Sequence, residues 1–284
     1  MTKAFLGMGL LGANFVRAMR KRNEDVQIWN RTAPKANTLA ETGAKVCATP
    51  AEAVKGAKYV HICVSDDAAV DSVLEQASAN FEPDVIIIDH TTTTATGTTK
   101  RAAYWKSKGI TFIHAPVFMG PISALEGTGI MLISGDQKVI AKVETDLKKM
   151  TGELMNLGED VSKAAAYKLL GNHLFLAISA GLTDTFTLGK ALNFTREEVA
   201  DLIEHIGAAP MKARVGRLLM GNYDDPTWEL AMARKDARLM HEEAVQAKHN
   251  LMVMPALGEV MDKLIAEGHG SKDWTVFAKQ ATSN

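Results

Sequence analysis

Cysteine is nearly absent from this chain, with two residues in 284, Cys47 and Cys63. That excludes a disulfide framework and any paired-cysteine metal site. Cys63, inside the apolar run YVHICV, is expected as a buried thiol packed like a small hydrophobe. An excess of charge is missing too: 32 Lys and Arg face 33 Asp and Glu, for a formal net charge of −1. No global field therefore draws nucleic acid, a membrane surface or another polyanion, and none of these is expected as a partner. An uninterrupted apolar run of about 18 residues is also lacking. The nearest approach, AAAYKLLGNHLFLAISAG (164–181), is broken by Lys168, Asn172, His173 and Ser179. The N-terminus starts on a strand-like stretch instead of a basic segment and an apolar one, so neither a signal peptide nor a membrane span is expected, and the expected location is cytoplasmic. H-E-x-x-H and G-x-S-x-G do not occur, and the Gly-Lys pair at 189–190 lacks the rest of a phosphate loop. His241 and His249 stand eight residues apart in HEEAVQAKH, the spacing of a solvated helix face and not of a metal site.

What is present is a globular composition, 46% apolar and 23% charged, in a chain long enough for one large domain or two ordinary ones. Over the first 150 or so residues, strand-like runs at 3–7, 26–30, 59–64, 85–89 and 129–135 alternate with helical patterns near 11–22, 33–42, 66–77, 94–108 and 136–149. Several runs are apolar throughout, as in a parallel sheet covered on both faces. The alternation predicts βαβ units and a doubly wound, mainly parallel sheet of the Rossmann kind. Beyond about residue 158 only helical patterns follow, at roughly 160–191, 195–206, 210–219, 228–249 and 254–267. The expected organisation is thus an α/β domain over 1–159 and an all-helical one over 160–284, joined by a long interdomain helix. Gly171, Gly181 and Gly189 interrupt that helix without ending its pattern and point to close packing against another helix. A long, glycine-notched, apolar helix also points to a homodimer or homotetramer formed through the helical half.

Gly7, Gly9 and Gly12 form G-x-G-x-x-G directly after a strand and at the start of a helical pattern. A tight turn, a close approach of backbone to a pyrophosphate and close helix–strand packing each require one of these glycines. The anion would rest on the free N–H groups of Met8, Gly9, Leu10, Leu11 and Gly12 at the helix N-terminus. About 20 residues on, where an NAD site carries an acid for the ribose 2′-hydroxyl, the chain has Asn30, Arg31 and Thr32. Arg31 can clamp a 2′-phosphate and Lys35 adds charge one turn later, so NADP(H) is preferred over NAD(H).

Lys168 and Asn172 share one face of the long helix, one turn apart. Taken alone the pair reads equally as a lysine snorkelling to solvent beside an asparagine that bridges backbone. The catalytic reading is a partly desolvated amine that exchanges a proton with a substrate oxygen while hydride comes from a nicotinamide. His173 points about 100° away around the helix and reads as a core or interface residue.

In the order GMGLLG, WNRTAPKANTLAETGAKVCATPAEAV, VSDDAAV, DHTTTT, APVFMGPISALEGT, KLLGN and KDARL, the chain resembles the β-hydroxyacid dehydrogenase family over nearly its full length. Within it, the likeness is to the NADPH-dependent glyoxylate/succinic semialdehyde reductases. The resemblance implies that Lys168 is the catalytic lysine and Asn172 its partner amide. It implies that Thr92, Val64 and Ser65 border the nicotinamide, that Lys235 reaches the cofactor from the helical half, and that Trp228 borders the substrate. The family's substrate loop reads D-x-P-V-S-G-G, but here it is HAPVFMGP. Phe118 and Met119 replace the serine and first glycine, and only Gly120 matches, which implies a larger or less polar substrate than glyoxylate. Glycines that precede the catalytic helix in the family are Ser162 and Ala164 here.

The expected activity is hydride transfer between NADPH and a small aldehyde or keto acid, equivalently a hydroxyacid in reverse. Three alternatives remain. Imine reductases resemble this chain in WNRT and in the bulky loop but usually carry another residue where Lys168 stands. Oxidative decarboxylation, as in related sugar-acid dehydrogenases, calls for more basic residues in the substrate loop. A non-catalytic NADPH-binding module would bind the cofactor and turn nothing over.

Overall fold

A computed structural model describes residues 2–191, 194–206, 209–246, 251 and 253–282. The chain forms two compact units, Met1–Leu169 and Leu170–Asn284.

The first unit is built on a parallel sheet of β1 (Lys3–Leu6), β2 (Val26–Trp29), β3 (Lys45–Val46), β4 (Tyr59–Ile62), β5 (Ile86–Asp89) and β6 (Thr111–His114). The strand order is β3-β2-β1-β4-β5-β6, and every pairing is parallel. This is the doubly wound arrangement that the alternating pattern predicts, with its change of direction beside β1. Strands β1, β2, β4 and β5 are buried at every position, because helices cover both faces. Side chains alternate between two cores. Phe5, Ile28, Ile86 and Ile88 pack with Phe15 and Met19 on one side. Leu6, Val60, Ile62 and Ile87 pack with Leu74 and Trp105 on the other.

The connecting helices are α1 (Leu10–Lys21), α2 (Ala33–Asn37), α3 (Pro50–Val54), α4 (Asp67–Ala77) and α5 (Ala95–Ser107). After β6 the chain leaves the large sheet. Strands β7 (Val117–Phe118), β8 (Ile130–Ile133) and β9 (Glu153–Asn156) make a second sheet, with α6 (Pro121–Glu126) and α7 (Gln137–Leu147) between them.

Several expectations are corrected here. The run 129–135 was expected in the parallel sheet, but β8 pairs antiparallel with β7 and parallel with β9. The sixth place in the large sheet belongs instead to β6, whose polar ends, Thr111 and His114, hide it from an apolar-run search. Strand β3 has two residues, too few to show a period, and β9 has no buried residue. The helix expected over 33–42 ends at Asn37 and resumes as a single 3₁₀ turn, Ala40–Thr42. Helix α3 has no counterpart among the expected helices, although Thr49 caps it, accepting from Glu52 N–H at 3.1 Å ahead of Pro50.

Helix α8 (Lys163–Ala191) starts in the first unit and continues into the second. Its entry is tied to Ser134, the residue that follows β8, whose hydroxyl accepts from Ala164 N–H at 3.0 Å and donates to Val161 O at 3.3 Å. This attachment keeps the first turns of α8 with the sheet unit, so the compact units part later than the change in pattern at 158–160. The second unit contains α9 (Arg196–Ile206), α10 (Ala209–Met220), α11 (Leu230–Gln246), α12 (Val253–Leu264) and a short terminal α13 (Lys279–Thr282). Leu182, Phe186, Ile203 and Leu218 form a core there. Buried Asp273 joins the 217–227 and 273–275 segments by accepting from Arg217, Thr227 and Thr275. Among the described residues, a Cβ at Gly181 would meet nothing within 4 Å. No helix among the described residues is long and apolar enough to cross a membrane.

Candidate active site

At the end of β1 the glycine segment turns sharply into α1. Gly7 has φ +103°, and a Cβ there would lie 2.1 Å from Cys63 O. A Cβ on Gly12 would sit 1.9 Å from Gly7 O, so the helix closes directly onto the turn. Gly9 differs: a Cβ would meet nothing within 4 Å, and the residue is exposed. It occupies the N-cap position of α1 with no side-chain cap, and the first turn holds no acid. Two glycines thus compress the turn, and the third opens backbone N–H groups to an outside anion. The arrangement fits a dinucleotide pyrophosphate.

Asn30 sits where the ribose acid would stand, and its side chain works inward. Its Oδ1 accepts from Met8 N–H at 2.8 Å, and its Nδ2 donates to Thr32 O at 2.9 Å. It therefore ties the end of β2 to the glycine turn. Arg31, Thr32 and Lys35 are exposed around the start of α2.

The β4–α4 and β5–α5 loops, which carry Val64, Ser65 and Thr92, are bound to each other. Val64 N–H donates to Thr91 Oγ1 at 3.1 Å, and Thr94 N–H donates to Asp67 Oδ2 at 2.9 Å. Asp89 at the end of β5 accepts from Thr91 N–H at 2.8 Å. Burial pushes the Asp89 carboxyl up to about 6, against the opposing pull of Arg101.

Beneath these loops lie three buried histidines. His90 Nδ1 is 2.7 Å from Ala115 O, a carbonyl that only accepts, so this nitrogen carries hydrogen. His90 Nε2 must then accept from His61 Nδ1 at 3.0 Å. His114 Nε2 donates to Thr91 O at 2.9 Å by the same logic. Burial keeps all three neutral, lowering His90 and His114 to about 4 and His61 well below its usual range. Cys63, expected as a buried thiol, is half-buried and packs against the core at its edge.

Lys168 is 9% exposed, on the second turn of α8. Its Nζ stands 4.5 Å from the centroid of the Phe118 ring. This is a cation–π contact between the expected catalytic lysine and a residue of the expected substrate loop. Phe118, Met119 and Gly120 are half-buried where β7 passes into α6, and α6 packs against α1.

In the second unit Asn172 is 5% exposed. Its Nδ2 donates to Asp236 Oδ2 at 2.7 Å, and Lys235 Nζ pairs with Asp236 Oδ1 at 2.5 Å. Asp236 is buried and joins two residues that the sequence singles out separately. Its position next to a lysine, on an otherwise ordinary charged helix, concealed that role. Trp228 is half-buried and packs on Trp274 with ring centroids 5.0 Å apart. His173 is half-buried and His241 exposed, while His249 lies outside the described residues. Among the described residues no group of three or more His, Cys, Asp or Glu side chains could hold a metal ion.

Comparison with known proteins is consistent with this geometry. A family model described as the NAD binding domain of 6-phosphogluconate dehydrogenase matches residues 2–158. The cytokine-like nuclear factor N-PAC of Gallus gallus is 27% identical over 274 residues, covering 95% of this chain and 49% of that protein. The chain therefore spans about half the length of that relative. The 3-sulfolactaldehyde reductase of Escherichia coli (strain K12) is 24% identical over 285 residues, 98% of this chain and 94% of the relative. The structure of Mycobacterium tuberculosis 3-hydroxyisobutyrate dehydrogenase with L-serine superimposes with a TM-score of 0.86 at 20% identity, covering 99% of each chain. At that identity the likeness speaks for the fold.

Proposed function

Since the chain belongs to the family that shares the NAD binding domain of 6-phosphogluconate dehydrogenase, as a β-hydroxyacid dehydrogenase relative, we propose that it is an NADP(H)-dependent oxidoreductase of small aldehydes or keto acids, or of hydroxyacids in reverse. The observation that carries this reading is the buried Lys168 amine held over Phe118, in the same compact unit as the open glycine cradle.

The first-turn N–H groups of α1, opened at Gly9, would hold the pyrophosphate, while Met8 N–H, expected among them, is held by Asn30; Arg31 and Lys35 are available to a 2′-phosphate. Bound there, a nicotinamide supplies or accepts the hydride. Lys168 donates the proton that a reduced carbonyl oxygen needs and, as the neutral amine, removes it from an alcohol. The face of the Phe118 ring steadies the ammonium and keeps water from that side. Asn172 is oriented by Asp236, which accepts only and so takes the Nδ2 side of the amide. Phe118 and Met119 line the substrate loop with apolar surface, which favours a carbonyl compound bulkier or less polar than glyoxylate. Tyr167, Leu170 and Leu174 leave an exposed apolar strip on α8, which supports self-association as a homodimer or homotetramer.

A second reading is favoured by the N-PAC likeness, since that relative is named as a nuclear factor and not as an enzyme: a cofactor-binding module without turnover. One screen separates the two, following NADPH absorbance with aldehydes, 2-keto acids, 3-hydroxyacids and cyclic imines. For an enzyme, Lys168→Ala lowers kcat at least about 10²-fold with NADPH affinity nearly unchanged. A wild-type protein that binds NADPH and reduces none of these compounds is the module. Preferential reduction of imines moves the assignment to imine chemistry. Arg31→Ala should weaken NADPH at least about tenfold more than NADH; equal losses overturn the NADP preference.

A further inference from the structure

Helix α5 carries an arginine that the catalytic reading does not use. Arg101 is 3% exposed, yet its guanidinium faces three carboxylates. Nη2 is 2.9 Å from Asp67 Oδ1, Nε is 2.6 Å from Asp71 Oδ1, and Nη1 is 3.8 Å from Asp89 Oδ2. Nη2 also donates to the Asp67 carbonyl at 3.2 Å. The flat face of the group lies 5.9 Å from the Phe112 ring centroid. Two of the carboxylates, Asp67 and Asp89, have a second duty. Asp67 begins α4 and accepts from Thr94 N–H, the cap of α5. Asp89 ends β5 and holds Thr91 N–H. Thr91 in turn holds Val64 N–H. One buried cation therefore determines the spacing of two loops that emerge from adjacent strands. They carry Val64, Ser65 and Thr92.

Gly97 is shaped for this contact. A Cβ there would lie 2.1 Å from Asp67 Oδ1, so only glycine leaves the carboxylate its place.

We propose that Arg101 and Asp67 are positioning residues for hydride transfer: their brace fixes the β4–α4 loop against the β5–α5 loop and so sets the seat of the nicotinamide ring. The proposal rests on the nicotinamide reading above. The glycine turn proposed to hold the pyrophosphate lies between the end of β1 and the start of α1, on a segment to which neither Arg101 nor Asp67 bonds. Loosening the brace therefore displaces the ring while leaving most of the binding contacts. A lysine at 101 has one ammonium and cannot reach three carboxylates at once.

The test uses the full chain with Arg101→Lys, Asp67→Asn and Gly97→Ala. Asp67→Asn keeps an acceptor for Thr94 N–H while removing the charge, and Gly97→Ala displaces the carboxylate without altering Arg101. Lys148→Ala, which breaks only the exposed pair with Glu144, serves as control. NADPH is titrated by its own fluorescence, which reports both affinity and the surroundings of the nicotinamide ring. Turnover is measured with NADPH and with its 4-deuterated form, using the best carbonyl compound from the screen.

In the three brace variants NADPH affinity should change less than about threefold, while the fluorescence enhancement on binding falls and kcat drops about tenfold or more. The deuterium effect on kcat should rise, because ring placement limits the hydride step. Enhancement and deuterium effect equal to wild type in any variant that folds, with only thermal stability reduced, overturn the positioning role. A loss of affinity as large as the loss of kcat overturns it as well. If the wild-type protein binds no NADPH, the nicotinamide reading and this inference fall together; a normal wild type with unresponsive variants sinks the inference alone.

Discussion

Single residues in this protein divide into those whose type announces their task and those whose task depends on neighbours far along the chain. The glycines at 7, 9 and 12 are of the first kind, and the structure separates their duties. Gly7→Ala places a methyl against Cys63 O in a backbone conformation that alanine resists. It should cost at least about 2 kcal/mol of stability. Gly9→Ala meets open space, so its melting temperature should stay close to wild type. The added methyl stands on the face offered to the pyrophosphate, and NADPH should bind about tenfold more weakly. Melting curves with and without NADPH distinguish the two; equal destabilisation by both substitutions would contradict this division. Asn30 is of the second kind. Its place at the end of β2 suggests a ribose contact from the sequence, but its side chain holds the glycine turn. Asp236 and Arg101 gave no sign in the sequence, because a charged residue on a helix reads as solvated until its partners are known.

Elements were legible in proportion to their length and burial. The apolar strands β1, β2, β4 and β5 and the long helices α1, α4, α5 and α7 fall where periodicity places them, within a few residues at their ends. Strands β3 and β7 have two residues each, and β9 is unburied, so no periodic signal could mark them. Helix α8 was legible as a helix, but how it is anchored was not. Ser134, fully buried just past the end of β8, satisfies Ala164 N–H near the start of the helix that bears Lys168. Ser134→Ala leaves that buried N–H without its partner and should cost about 1–3 kcal/mol. The melting temperature should fall by several degrees and kcat with it, because the second turn of α8 loses its fixed position. Unchanged stability would mean that water takes over the hydroxyl's role.

At the scale of the whole molecule the sheet unit carries an acid-sensitive core. Burial lowers His90 and His114 to about 4 and holds His61 well below its usual range, against 6.5 in an unfolded chain. Between those values the unfolded chain binds more protons, so stability declines as pH drops from about 6.5 towards 4. Asp89 opposes this, since its carboxyl is raised from 3.8 to about 6 and its protonation favours the fold as pH falls through 6. Three histidines act against one carboxyl, and the net expectation is loss. Melting temperatures at pH 7.5, 5.5 and 4.5 should fall in that order, most steeply below pH 6. A level profile down to pH 4.5 would be incompatible with neutral histidines packed beneath the β4–α4 and β5–α5 loops.

Local order alone determined much of this protein: a G-x-G-x-x-G turn needs only neighbouring residues, and strand–helix alternation follows from side-chain periodicity. The sequence was sufficient for a doubly wound unit followed by helices and for the sharp glycine turn between β1 and α1. Tertiary structure alone decided the second sheet, the departure of the 129–135 run from the first, and the partners of Asn172 and Arg101. Those features depend on contacts between residues tens of positions apart, where the energy of a buried ion pair or a strand pairing comes from what the fold brings near and not from the residues' own types.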